Sequence, residues 1–391
     1  MTTTLSAKPS SSRRQNRLLL SAEAALRRID AAAPEQASRV LVLEYRLPLG
    51  CLVHMTPVFE AIKRSRPEVE VAVATCGLGL QVLRHCAFLD HLIRTPDPTQ
   101  DLAAAARTLR RALGQRGLRP DCVLTGASDQ RTGIALLGVL AASAWRGGYT
   151  QKPALYHWPL DYDPGLSLIG NNLRIAKLLG CEFTPERPRV FFSSRDAEAA
   201  AGLLREANPE ARPLAVLVTQ NSGGQSTGWH TDRFVRVIQE AGAQGCAVAY
   251  VGTASEAPGI EMLRSASGLG VSLAGRTSVS ELAAVLALAD FVVTLDTGTM
   301  HVGRASAVPM VVLGPSWQKP LEWLPLGVEN VRILRGPDRT DVPPGYRLDE
   351  ISAESVIAAL HDLMQRYPAS AEMRERRLHE GLSGVDHLAK P

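Results

Sequence analysis

Val292-Val293-Thr294-Leu295-Asp296-Thr297-Gly298-Thr299-Met300-His301 passes from strand to helix across one short turn. The β-branched apolar run stops at Asp296, small residues follow, and His301 opens the helical pattern Val302–Ala307. Such a junction sets a helix N-terminus at the carboxyl end of a strand, where open α/β sheets take their ligands. Gly298 permits close backbone approach, and free N–H groups at the helix start attract phosphate. Taken alone, the same residues also suit an ordinary turn with a capping aspartate.

Outward from this junction, strand and helix patterns alternate. Upstream lie helix Arg195–Ala207, strand Ala215–Thr219, helix Asp232–Ala241, strand Ala247–Val251, helix Ser255–Ser267, strand Val271–Leu273 and helix Ser280–Ala287. Strand Pro309–Leu313 and a last helix, Ala353–Gln365, follow it. The first half repeats the rhythm with strand Arg39–Glu44, helix Met55–Ser65 with Pro57 in its first turn, and strand Val69–Ala74. Helix Leu78–Cys86, strand His91–Arg94, helix Leu102–Leu113, strand Asp121–Thr125 and helix Thr132–Ala142 complete it. Alternation of this kind argues for parallel sheets with right-handed crossovers. The polar, proline-bearing stretch Gln151–Pro188, with a helix near Asn172–Leu179, separates the halves. The expected fold class is α/β, with two Rossmann-like, doubly wound parallel-sheet domains facing across a cleft. The expected divisions are residues 1–37, a flexible start with a short amphipathic helix at Leu18–Ala33; 38–185; 186–350; and 351–391, a helix with a loose charged tail.

At 391 residues the chain suits two domains. A formal charge of +4 with scattered basic residues permits phosphate-bearing ligands and argues against nucleic acid as a partner. Cys51, Cys76, Cys86, Cys122, Cys181 and Cys246 lack metal-type spacing and read as reduced thiols of a cytoplasmic protein. No metal or cofactor is expected. Arg13, Arg14, Arg27 and Arg28 allow peripheral contact with an anionic membrane surface, although a solvated helix face explains them as well.

A second anion-binding candidate is Val218-Thr219-Gln220-Asn221-Ser222-Gly223-Gly224-Gln225-Ser226-Thr227-Gly228-Trp229, a strand running into a glycine- and hydroxyl-rich loop. Its small residues free backbone N–H groups for a diphosphate, yet it matches neither the P-loop nor the dinucleotide pattern. Trp229 suits packing beneath the loop. The lack of a Gly-x-Gly-x-x-Gly after a strand in either half argues against a dehydrogenase.

Together these segments resemble bacterial glycosyltransferase family 9, the heptosyltransferase-like enzymes of lipopolysaccharide assembly, from about Val40 to Leu334. Val40-Leu41-Val42-Leu43, Leu49-Gly50, Thr56-Pro57-Val58 and Ala61-Ile62-Lys63 carry the likeness in the first half. Leu273-Ala274-Gly275-Arg276-Thr277-Ser278, Glu281-Leu282, Ala289-Asp290, Asp296–His301 and Val308–Pro315 carry it in the second. The resemblance implies a GT-B fold, with the acceptor on the first domain and a nucleotide-sugar donor, an ADP-sugar favoured, on the second. It implies metal-independent inverting transfer to a glycan or glycolipid acceptor at the inner face of the inner membrane. Donor contacts would come from Ser222, Gly223, Gly224, Thr227, Gly275, Thr277, Asp296, Thr297, Gly298, Thr299 and His301.

Two positions depart from the family pattern. Its catalytic Asp is Cys51 here, and its loop Lys is Thr227. Inverting transfer needs a base for the acceptor hydroxyl. The candidates are Cys51, as a thiolate if a helix N-terminus lowers its pKa; His54, one turn further on; Asp129; and Glu44, which also suits a pairing role with Arg46. Arg276, Lys319 or backbone amides near Ser222–Gly224 could stabilise the leaving group. The alternative is a catalytically degenerate nucleotide-sugar-binding relative; a nucleotide-sugar 2-epimerase fits the Asp296–His301 signature less well.

Overall fold

The computed structural model describes residues 34–46, 48–142, 144–220 and 228–389. Its first half runs β1 (Arg39–Leu43), α1 (Leu49–Ser65), β2 (Glu70–Thr75), α2 (Leu78–Leu83), β3 (His91–Arg94), α3 (Leu102–Gln115) and β4 (Cys122–Thr125). It continues through α4 (Thr132–Ala141), β5 (Trp145–Tyr149), β6 (Trp158–Leu160) and α5 (Leu168–Leu178). The second half runs α6 (Ser194–Ala207), β7 (Leu214–Val218), α7 (Thr231–Ala243), β8 (Ala247–Tyr250), α8 (Ala257–Ser267), β9 (Val271–Ser272) and α9 (Val279–Leu288). Then come β10 (Phe291–Leu295), α10 (Gly298–Ser306), β11 (Met310–Leu313), α11 (Pro320–Trp323), β12 (Val331–Leu334), α12 (Ala353–Arg366) and α13 (Ala371–Gly381).

β1, β7 and β10 are apolar and almost wholly buried, as strands covered by helices on both faces must be. Among the described residues they lie in two six-stranded sheets, ordered β3-β2-β1-β4-β5-β6 and β12-β11-β10-β7-β8-β9, whose pairings are parallel. The two orders are the same doubly wound pattern. Each reverses beside its first strand, between β1 and β4 and between β7 and β10, and leaves a crevice at the carboxyl ends there. Glu44 lies one residue beyond β1, and Asp296 one residue beyond β10. Ser193 and Ser278 start α6 and α9 in capping boxes with Asp196 and Glu281.

The structure corrects three expectations. α1 begins at Leu49, not Met55, so Pro57 lies inside it. A proline there cannot donate to the carbonyl four residues back; the Thr56 hydroxyl takes over and donates to the Val53 oxygen at 2.8 Å. Strands β5, β6 and β12 were not read, since Trp145-Arg146-Gly147-Gly148-Tyr149 carries two glycines yet is buried throughout.

Third, the tail expected to be loose is seated. α13 is capped by Ser370, Arg374 holds Asp290 through two 2.8 Å contacts, and buried Arg377 donates to the Ala287 and Ala289 carbonyls. Beyond it the chain returns to the first half, where Asp386 pairs with Arg84 at 2.7 Å and His387 meets the Cys86 carbonyl. Charged composition hid a segment whose Arg374, Arg377 and Glu380 find buried or half-buried partners. The expected helix Leu18–Ala33 lies outside the described residues.

Candidate active site

The carboxyl edge of the second sheet gathers polar atoms that find no partner among the described residues. Thr219 Oγ1 follows β7, Thr297 Oγ1 precedes α10, and Trp317 Nε1 and Gln318 Oε1 follow β11. These strands are neighbours, in the order β11-β10-β7. Buried polar atoms are normally hydrogen-bonded, so unmatched ones grouped at a switch point describe a place that a polar ligand completes. Asp296 stands among them, 6% exposed, its carboxyl pushed up to about 6 by burial. Thr297 is the N-cap of α10 and makes no side-chain capping bond, so the free N–H groups of that helix remain for an anion. Gly275, beyond β9, takes φ +70° and packs so closely on the loop after β8 that a Cβ would lie 2.8 Å from Ala254. It is exposed and Thr277 half-buried, on the same edge but apart from the Asp296 cluster.

At the junction of the halves, the first turn of α1 meets the first turn of α10. A Cβ on Gly298 would lie 2.7 Å from Leu49, and one on Gly50 would lie 2.4 Å from the His301 ring. His301 is buried; that burial and the Arg304 charge push its pKa down to about 3, and its Nδ1 has no partner among the described residues. Its ring meets the edge of His54 at 4.3 Å, and His54 stacks on Trp323 at 5.7 Å. Both ring nitrogens of His54 are buried without described partners, and burial holds it neutral, well below its ordinary range. Close by, the Tyr162 hydroxyl donates to Glu322 at 2.9 Å and links the halves again.

At the carboxyl edge of the first sheet, Glu44 and Asp129 are both buried. Asp129 is held by two bonds from Arg131, at 2.7 and 2.9 Å, and Arg131 also reaches the Tyr45 carbonyl and Thr99. Glu44 Oε1 accepts from the Arg46 amide at 3.2 Å, while Oε2 has no described partner. Burial first, then the charge of Asp129, raises its carboxyl to about 8. Asn172 fixes this edge, accepting from the Ala127 amide at 2.9 Å and donating to the His54 carbonyl at 3.1 Å.

Of the expected residues, Asp296, Thr297, Gly298, Thr299 and His301 come together at the second switch point. Ser222, Gly223, Gly224 and Thr227 lie outside the described residues. Trp229 is T-stacked on Phe234 and donates to the Ile351 carbonyl; the loop it was expected to pack beneath lies outside the described residues. Arg276 pairs with Glu206 on the exposed surface at 2.7 Å.

The base candidates sit in different surroundings. Cys51 is 4% exposed, and burial with the nearby Glu44 charge raises its thiol to about 12, the reverse of the lowering that a helix start would bring. His54 packs between His301 and Trp323, and Asp129 is held by Arg131. Reading the sequence placed Thr219 in the anion-binding stretch after β7 but missed Trp317 and Gln318, which the rule of carboxyl ends could have found, and Trp323 and Asn172, which carried no local signal. Among the described residues no group of three or more His, Cys, Asp or Glu side chains is set to hold a metal ion, and no helix is long and apolar enough to cross a membrane.

Residues 134–339 match the model of glycosyltransferase family 9 (heptosyltransferase). Lipooligosaccharide heptosyltransferase 2 of Haemophilus influenzae is 27% identical over 167 residues, which are 40% of this chain and 48% of that protein, so the match spans about half of the curated relative. The glycosyltransferase family 9 structure from Veillonella parvula superposes with a TM-score of 0.75 at 17% identity, covering 84% of this chain and 98% of that one. ADP-heptose lps heptosyltransferase II of E. coli gives 0.69 at 17% identity over 85% and 100%. An E. coli heptosyltransferase solved with ADP-2-deoxy-2-fluoro heptose gives 0.61 at 19% identity over 83% and 99%. At these identities the likeness establishes the fold, two facing Rossmann-like sheets in the GT-B arrangement.

Proposed function

The chain belongs to glycosyltransferase family 9, and on that premise we propose that it moves a heptose-like sugar from a nucleoside diphosphate to a glycan or glycolipid acceptor of lipopolysaccharide type. We assign the donor to the second half, residues 186–350, and the acceptor to the first, residues 38–185. The observation carrying this reading is the set of unmatched buried polar atoms around Asp296 and the α10 N-terminus. A diphosphate would take the free N–H groups, and sugar hydroxyls would pair with Asp296, Thr297 and Thr219. Ser222, Gly223, Gly224 and Thr227 follow β7 in sequence and join the donor site from sequence alone. An ADP-sugar is favoured because E. coli heptosyltransferase structures of similar fold were solved with ADP-2-deoxy-2-fluoro heptose and with ADP. The reaction, as proposed, inverts the anomeric carbon, uses no metal, and takes place in the cytoplasm beside the inner membrane.

The second reading, a binding relative without turnover, draws on Cys51, a buried neutral thiol at the position of the family's catalytic carboxylate. Calorimetric titration with ADP-heptose and GDP-mannose tests the pocket. Asp296→Ala and His301→Ala should each weaken ADP-heptose binding about 30-fold or more, near 2 kcal/mol. Unchanged affinity in both, with folding verified, refutes the placement. Release of ADP in the presence of lipooligosaccharide acceptor separates transfer from binding alone.

A further inference from the structure

The transfer proposed above requires one group to take the acceptor's hydroxyl proton, and four side chains stand at or beside the first sheet's switch point. Three are poorly suited to it. Cys51 is a buried thiol that keeps its proton at any ordinary pH. His54 has both ring nitrogens unmatched, but it is walled in by His301 and Trp323 and its burial opposes the protonated form. Asp129 has both oxygens on Arg131. Glu44 alone keeps a carboxyl oxygen, Oε2, with no partner among the described residues.

Its position suits the task. It directly follows β1, the strand beside the reversal of sheet order, where doubly wound sheets take their ligands. Gly126 opens the loop on the other side of that crevice, and a Cβ there would lie 3.0 Å from Glu44 Oε2 and 3.2 Å from Met55 Sδ. Glycine thus keeps side-chain bulk away from the carboxyl.

We propose that Glu44 is the general base of the transfer. The acceptor oxygen bonds to the anomeric carbon as the bond from that carbon to the diphosphate oxygen breaks. The hydroxyl proton passes to Glu44 Oε2, and the bonding pair leaves with the nucleoside diphosphate, so no further reactant enters. Glu44 has no solvent exposure and Gly126 beside it is buried, so the acceptor's proton reaches Oε2 through one intervening water.

The surroundings set its proton affinity. Burial and Asp129 raise the carboxyl, while the Arg46 amide and the Arg131 and Arg46 charges oppose them, leaving it near 8. A base is most effective with a pKa close to the working pH. Cys51 now has a reason to be neutral, because a second carboxylate beside Glu44 would repel it.

The proposal rests on the transferase reading, and the test separates the two. Full-length wild type, Glu44→Gln and Glu44→Asp are assayed for ADP release from ADP-heptose, with deacylated lipooligosaccharide core from a heptose-deficient strain as acceptor. Calorimetry follows ADP binding, and cooperative melting verifies folding. Glu44→Gln should lower kcat by about 100-fold or more while ADP affinity stays within twofold, and Glu44→Asp should keep a measurable rate. Wild-type kcat/KM should climb with pH through about 8, and the residual Glu44→Gln rate should lose that limb. A Glu44→Gln rate within threefold of wild type, or a limb that survives the substitution, overturns the assignment. Wild type that binds no ADP and releases none instead overturns the transferase reading beneath it.

Discussion

The two sheets have one strand order and two kinds of crevice. The first switch point is charged: Glu44, Asp129 and Arg131 satisfy or oppose one another, and among the described residues Glu44 Oε2 and Ser128 Oγ are left without partners. The second is nearly uncharged and incomplete, with hydroxyl, indole and amide atoms unmatched around a single aspartate and a free helix start. The difference teaches that topology fixes where a ligand sits, while the residues one step beyond the strands decide what chemistry occurs there.

The contrast breaks most sharply through Glu44→Gln and its effect on stability. The folded protein holds a proton on Glu44 up to about pH 8, whereas the unfolded chain releases it near 4.5. The contribution to stability is therefore complete below about pH 4.5, shrinks as pH rises, and is gone above about 8. Glutamine does not titrate, so the variant should match wild type near pH 4.5 and exceed it by up to about 5 kcal/mol at pH 9. Urea unfolding at both pH values checks this, and a pH-independent difference would erase the distinction between the crevices. Gly298→Ala acts where they meet. Alanine favours a helix by up to about 1 kcal/mol over glycine, but its Cβ would meet Leu49 at 2.7 Å, so a net loss of about 1–3 kcal/mol is expected. A gain in melting temperature would mean that the halves do not press together there. Asp129→Asn is the smallest. It removes a charge that raises Glu44 and frees Arg131 to lower it, so the rising limb of kcat/KM should move down by up to about one pH unit; a limb that stays in place would uncouple the two carboxyls.

Much of this scaffold was written in local patterns. Parallel strands buried on both faces read as continuous apolar runs, and serine caps mark the helix starts, so alternation alone gave the doubly wound halves. Segments without such a signature were missed: β5 because of Gly147 and Gly148, and α13 because its arginines act only through distant Asp290 and the end of α9. Within the site, the Asp296–His301 turn was visible because its chemistry is contiguous. The disposition of His54 was not, since its ring is placed by His301 and Trp323, about 250 residues away in sequence. The fate of Cys51 also depended on a neighbour, Glu44, from another element.

The return of the chain after α13 has a mechanical consequence. Phe191, on the outward passage, packs against Phe88 at 5.5 Å, and Asp386 and His387, on the way back, grip Arg84 and Cys86. Both passages are thus pinned to one short stretch, residues 84–88, like a door hung on two adjacent pins. These contacts tie both crossing segments to the end of α2. Cutting the Arg84–Asp386 pin would loosen the door while leaving both crevices intact.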